Sequence, residues 1–351
     1  MEQFAYLLGK PKVTGDIRSI KDDFQVIEKL PFEPSGEGEH LFINVKKTGL
    51  NTVQVARLFA QYFEVTEKQV SYAGLKDRFA VTKQWFSIHL PGLKEKSLDK
   101  FEQQGIDIIS SSRHNKKLKI GALSGNQFRI VLRNVSDVDE LCRRWHVICA
   151  SGVPNYFGEQ RFGIDGGNLS GANQLFAGAK VKNKKKRGLY LSAARSFLFN
   201  QQLHWRLTDH CFEQLMVGDV MMLAGSQSVF LLDAIDDDIK RRLTEKDIDI
   251  TAAMWGSGAL MTSQEPLNRE LKLKKDFPEI CHGLVRFGLK QERRKIRLNI
   301  SEPTIVTDQS DSQVTLDFTL GSGCFATAVL RELLVYQDLT ERIALNKETH
   351  T

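Results

Sequence analysis

The sequence predicts a mixed α/β (α+β) fold in two domains, a pattern that fits one domain inserted into the other. Three observations carry this. Alternating stretches and amphipathic helical stretches share the first 150 residues, glycine becomes dense from Asn155, and strand alternation returns at VTLDFTL, Val314 to Leu320. At about 100–200 residues per domain, 351 residues accommodate two or three. Two consecutive domains would leave a similar pattern, so periodicity alone leaves both arrangements open.

The elements follow in order. LFINVKK (Leu41 to Lys47), QWFSIHL (Gln84 to Leu90), IDIIS and NQFRIVLR alternate as half-buried strands do. Between the first two, Val55, Leu58, Phe59 and Tyr62 fall at i, i+3, i+4 and i+7, one apolar helix face, and Asn51 with Gln54 makes a capping box at its start. A second helix is expected from Ser136 through Leu141, Trp145 and Ile148. It ends before Gly152-Val153-Pro154, because Pro restricts the residue before it and lacks a donor. Helical stretches then alternate with basic loops, with a strand-like segment at Val217 to Leu232 and a helix opening near Ser192. FATAVLRELL (Phe325 to Leu334) reads as a closing helix just past Gly321 and Gly323.

Composition removes several classes. The chain is 41% hydrophobic and 26% charged, ordinary for a globular protein. It has no apolar run of roughly 18 residues, so no membrane-spanning helix is expected. The opening MEQFAYLLGKPKVTGD has no secretory pattern, and five scattered cysteines suit a reducing cytoplasm. Phosphate loops (GxxxxGK[ST]), dinucleotide fingerprints (GxGxxG), GxSxG elbows and zinc-deaminase pieces are absent.

The net charge of +6 is segregated. KVKNKKKR, Lys180 to Arg187, carries six basic residues in eight. RHNKKLK (Arg113 to Lys119) and KQERRKIR (Lys290 to Arg297) are further runs, while acids gather at Asp233 to Asp238 and Glu245 to Asp249. Each run alone reads as a solvated face. Three together make nucleic acid the leading partner, with Lys182, Lys184, Lys185, Lys186, Arg187, Lys116 and Lys117 as candidate backbone contacts.

Three motifs could carry chemistry. In AGLKDRFAVTKQW (residues 73–85), Asp77 lies between two cations, a setting that keeps a carboxylate ionised for nucleophilic or base chemistry; the bland alternative is a surface loop with a local ion pair. In GALSGNQFRIVLR (121–133), Asn126 offers an amide donor and acceptor to a base edge, or is simply a turn residue. PNYFGEQRFG (154–163) mixes aromatics with Asn, Gln and Arg, as stacking requires, or as a domain junction would. Cys142, His146 and Cys149 share one helix face, but no fourth ligand follows at a finger-like spacing, so no metal site is expected.

Taken together, KDDFQVIE, GEGEHLFINVKKTGLNT, SYAGLKDRFAVTKQW, GNQFRIVLR, GVPNYFGEQRFG, LSAARSFLFN and CFATAVLREL, running from about residue 12 to 334, resemble the TruD family of tRNA pseudouridine synthases, in its bacterial form. The resemblance implies a V-shaped protein with an RNA-binding cleft. Its catalytic domain (1–154 and 304–351) would surround a central antiparallel sheet, with a family-specific α/β domain (155–303) inserted. It implies isomerisation of uridine-13 in the D-arm region of tRNA, no cofactor or metal, no membrane and no obligate protein partner, in a cytoplasmic monomer bound to the D-arm and elbow. The family's catalytic aspartate falls on Asp77, and its substrate contacts fall on Phe24, Asn126, Phe128 and Phe325. Many members have Lys where this chain has Arg18, with Lys21 nearby. Both are candidates for the cation beside Asp77, one a planar fork and the other a point charge. The competing reading is a non-catalytic RNA-binding or chaperone-like protein.

Overall fold

The computed structural model describes residues 4–92 and 96–340. Its chain divides into two compact units. One comprises Pro11–Ser151, Asn299–Ala326 and Leu333–Thr351; the other comprises Met1–Lys10, Gly152–Leu298 and Thr327–Glu332.

The first unit is organised by an eight-stranded sheet. Its order is Ser301–Asp308, Gln313–Gly321, Gly125–Leu132, Phe24–Lys29, Val81–His89, His40–Thr48 and Ile106–His114, with Val70–Tyr72 also paired to Val81–His89. Neighbours run antiparallel except Phe24–Lys29 with Val81–His89, which are parallel. An antiparallel sheet was the expectation, and this one pair departs from it. A parallel neighbour needs a crossover, and the chain from residue 30 to 80 supplies it with the strands His40–Thr48 and Val70–Tyr72 and the helix Thr52–Tyr62.

That helix begins where its capping box predicts. The Asn51 side chain accepts from the Gln54 N–H at 2.9 Å, and the Gln54 side chain accepts from the Asn51 N–H at 3.0 Å. Val55 and Phe59 are fully buried against Ile43, Val45, Phe86 and Ile88 of the sheet. The Phe59 and Phe86 rings meet edge to face at 5.4 Å, and burying each such ring contributes roughly 1.5–3 kcal/mol.

The second unit has an antiparallel four-stranded sheet in the order Val229–Leu231, Val220–Leu223, Ile248–Met254 and Glu292–Lys295. Helices Gly167–Phe176, Lys184–Thr208, Gln264–Asp276 and Pro278–Arg286 share a core that includes Ala172, Leu198, Trp255, Leu273 and Leu284. Gly171 lets two helices approach closely, since a Cβ there would fall inside the Tyr190 ring. Val153–Pro154 pairs with Arg297–Leu298, so the stretches at either end of the long central segment are hydrogen-bonded to each other.

The long segment is bounded at 151/152 and 298/299, where the sequence suggested 154/155 and 303/304. Two short stretches also join it. The Arg331 guanidinium lies 3.6 Å over the Tyr6 ring and donates to the Phe4 and Ala5 carbonyls, and the Leu7 N–H donates to Glu332 at 3.0 Å. The basic run corrects an expectation: Lys184 to Arg187 form the first turn of a 25-residue helix rather than a loop ahead of one at Ser192. Lys and Arg are good helix formers, and the Asn183 side chain caps the helix by accepting from Lys185 and Lys186 N–H. Among the described residues, no helix is long and apolar enough to cross a membrane.

Candidate active site

The strand Phe24–Lys29 buries alternate residues, Phe24, Val26 and Glu28. A carboxylate therefore occupies a core-facing position. Glu28 receives the Lys76 ammonium at 2.5 Å and the Trp85 N–H at 3.0 Å. Its burial pushes the carboxyl up, against the pull of Lys76 and of the Trp85 and Gln84 hydrogen bonds. Gln84 donates to the Gly74 carbonyl at 2.7 Å and accepts from Thr52 Oγ1 at 3.0 Å, while Thr52 Oγ1 accepts the Lys76 N–H at 2.9 Å. Both sides of the loop before Asp77 are thus pinned to the sheet and to the helix start.

Lys47 pins the loop at Asp77 itself. It continues the buried alternation of Ile43 and Val45 and is fully buried. Its ammonium donates to the carbonyls of Leu50 (2.8 Å) and Asp77 (3.0 Å). Burial pulls it down to about 8; Asp77 and Glu28 oppose that shift and Lys76 adds to it.

The two Asp77 oxygens have different partners. Oδ1 accepts the Phe79 N–H at 3.0 Å, a local Asx-type turn. Oδ2 lies 3.2 Å from Arg18 Nη2, and the side chain keeps 31% of its surface exposed. Arg18 itself is buried, and its guanidinium stacks 4.4 Å from the Phe24 ring centroid. The ring of Phe24 meets that of Phe128 edge to face at 6.4 Å, and Phe128 stacks on Phe318 at 5.4 Å.

Asp77, Arg18, Phe24 and Phe128 therefore form one contiguous group. Between the two candidate cations the geometry selects Arg18. Lys21 is exposed and its ammonium lies against Gly49. Asn126 is half-buried on the strand beside Glu28 and Leu320, and its Oδ1 is buried without a hydrogen-bond partner among the described residues. The close approach that places it depends on Gly125, where a Cβ would strike the Leu320 carbonyl. Phe325 is half-buried, immediately before the helix Ala326–Leu333.

The basic runs fare differently. Lys116 and Lys117 are exposed on the loop after Ile106–His114, with Lys117 donating to the Lys68 carbonyl at 3.1 Å. Leu118 packs with Phe42 and Ala73, and the Gly121 N–H donates to the Ala73 carbonyl at 2.7 Å, so this loop is fastened to the base of the Asp77 loop. Lys182 and Lys184 to Lys186 are exposed in the other unit, and Arg187 is half-buried beside them. Part of the Lys290–Arg297 run is engaged in ion pairs: Arg293, which is buried, pairs with Glu270 at 2.6 Å and Lys295 with Asp249 at 2.9 Å, while Lys290 is exposed. Among the described residues no group of three or more His, Cys, Asp or Glu is placed to hold a metal ion, and His146 Nδ1 lies 2.7 Å from the Cys142 carbonyl.

The sequence reading missed roles for Lys47, Glu28 and Asp338. For the first two a signal existed: each is a charged residue in phase with the buried side of an alternating strand. Asp338 had none, as it is 320 positions from the Arg18 that it meets.

The family model described as tRNA pseudouridine synthase D (TruD) matches residues 1–170 and 168–333. The chain is 56% identical over 347 residues to the tRNA pseudouridine synthase D of Colwellia psychrerythraea, covering 97% of this chain and 95% of that protein. It is 47% identical over 342 residues to that of Shewanella oneidensis, covering 97% and 91%. Its fold matches the crystal structure of a Methanosarcina mazei protein assigned to tRNA pseudouridine synthase D (TruD), with a TM-score of 0.71 at 21% identity over 94% of this chain and 95% of that one.

Proposed function

This chain belongs to the tRNA pseudouridine synthase D (TruD) family and is a tRNA pseudouridine synthase, and we propose that Asp77 carries its reaction at uridine-13. The observation that carries this is the disposition of Asp77: one oxygen beside the Arg18 guanidinium, the side chain partly open, and a loop pinned by Lys47, Lys76 and Gln84.

The isomerisation breaks the bond between uracil N1 and the ribose anomeric carbon. It then joins that carbon to C5, with the C5 proton lost and N1 protonated, and needs no net redox change. Asp77 acts by attack on the anomeric carbon, by addition to uracil C6, or by removal of the 2′ proton on the way to a glycal. Each route requires a carboxylate fixed within reach of the nucleotide, and a rigid loop supplies that placement. The detached base has to turn without escaping. Phe24 and Phe128 form an apolar wall for it, and Phe325 is a further aromatic contact. The unpaired Asn126 Oδ1 suits the N3–H donor of uracil. The target uridine leaves its stack to reach Asp77.

Lys116, Lys117, Lys182, Lys184, Lys185, Lys186 and Arg187 contact the phosphate backbone of the D-arm and elbow. The segments around the long sheet form the catalytic domain and the Gly152–Leu298 unit is the family-specific insertion. The protein works as a cytoplasmic monomer.

The test is to map pseudouridine in tRNA treated with wild-type protein and with Asp77→Asn. Wild type should modify position 13. D77N should bind tRNA with affinity within about threefold of wild type and form no product, because the exchange removes a charge and keeps the shape. Near-normal product from D77N would remove Asp77 from the chemistry, and absence of product from wild type would leave the RNA-binding reading.

A further inference from the structure

The strand Val335–Asp338 pairs in parallel with Thr14–Ile17, with Asp338 opposite Ile17. The Val335 N–H donates to the Val13 carbonyl at 2.8 Å, and the Leu339 N–H to the Ile17 carbonyl at 3.2 Å. This register brings Asp338 beside Arg18, the residue that follows the first strand. Arg18 turns there into the left-handed region (φ +56), a conformation that side chains larger than Gly rarely adopt without compensation.

Two carboxylates share its guanidinium. Nη1 reaches Asp338 Oδ2 at 2.6 Å, and Nη2 reaches Asp77 Oδ2 at 3.2 Å. The shorter contact is therefore to Asp338. The other oxygen of Asp338 is held by the Thr340 N–H (3.1 Å) and hydroxyl (2.8 Å), which fixes the carboxylate and leaves Oδ2 for Arg18. The Phe24 ring closes one face of the guanidinium. A planar fork bound at one tine has its other tine aimed, which a point charge cannot reproduce.

We propose that Asp338 is a positioning residue for the pseudouridylation reaction: it orients Arg18 so that Nη2 meets Asp77 without drawing that carboxylate into a bidentate pair. This rests on the reading of Asp77 as catalytic. Without Asp338 the guanidinium is free to close on Asp77 with both nitrogens and pull it from its working position. The chain's late strand thereby takes part in the active site although it contacts no substrate.

The test uses the full-length protein. Asp338→Asn should lower kcat about tenfold while the KM for tRNA stays within about twofold, the split expected when only a reacting group is misplaced. The decisive readout is coupling. In an Arg18→Lys background, where the second tine is gone, D338N should change kcat by less than about twofold. Thr340→Val, which loosens Asp338 without altering any charge, should lower kcat two- to threefold or so with an unchanged melting temperature. It therefore remains informative should D338N fold poorly. Wild-type kcat in both D338N and T340V, or a D338N defect undiminished in the R18K background, would overturn the proposal. Activity in D77N would instead overturn the assignment of Asp77, so the two failures are distinguishable.

Discussion

The ammonium of Lys47 lies 3.0 Å from the main-chain carbonyl of Asp77 and is wholly buried. A buried charge without a carboxylate in its hydrogen-bond shell is expensive. Here it holds the backbone of one residue, the residue whose side chain faces Arg18. The cost and the placement belong together.

Lys47→Met should lower kcat about tenfold by releasing the Asp77 carbonyl. Its effect on stability should depend on pH. The folded value, about 8, lies below the ordinary 10.5. Between those values the unfolded chain holds a proton that the folded chain has released. The contribution of Lys47 to stability therefore rises as pH climbs through that window, and below it the folded protein bears the whole cost of the buried charge. Urea midpoints at pH 7.5 and 9.5 should show wild type gaining on K47M at the higher pH. A constant difference between the two proteins would show that Lys47 does not titrate in this window.

Arg18→Gln should lower kcat about a hundredfold or more, and Arg18→Lys should fall between it and wild type. Glutamine removes the charge beside Asp77, while lysine keeps it and loses the second tine. Single-turnover rates on unmodified tRNA distinguish the three. Equal rates for R18Q and R18K would mean that charge is not what Arg18 supplies.

Glu28 and Lys76 form an almost wholly buried ion pair beneath the Asp77 loop. Glu28→Ala strands the ammonium and should destabilise the protein by roughly 3–5 kcal/mol. The double variant Glu28→Met with Lys76→Met should be much less damaging to stability, because it removes both charges at similar volume. Denaturant titrations of the three proteins check this, and a double variant as unstable as E28A would show that the pair itself holds the loop.

Changing Lys184, Lys185 and Lys186 together to Ala should weaken tRNA binding and flatten the dependence of log affinity on log salt by about two units. Folding should not suffer. These cations sit in the first turn of a helix, where the macrodipole disfavours positive charge, so the melting temperature should hold or rise. An unchanged salt slope would show the run to be merely solvated.

Some of this was open to reading along the chain, because local physics encodes it. The capping box at Asn51 and Gln54, the apolar face of Val55 and Phe59, and the alternation of Phe128, Ile130 and Leu132 all depend on neighbours a few residues away. The basic first turn at Lys184 is local too: the helix propensity of Lys and Arg and the Asn183 cap outweigh the mutual repulsion of the charges. The parallel placement of Phe24–Lys29 beside Val81–His89 was not local, since alternation is the same for either direction of pairing.

The sequence by itself determined the family and singled out Asp77, because a run of ordered motifs is carried by the chain alone. It also placed charge on the buried phase of two strands, at Glu28 and Lys47. Which cation faces Asp77 was decided only by the tertiary structure. The choice between Arg18 and Lys21 turns on a left-handed residue at a strand end, and on an aspartate 320 positions away brought alongside by a parallel strand pair. Short-range periodicity specifies the elements, but electrostatic partners are set by distances in space, which sequence separation does not measure.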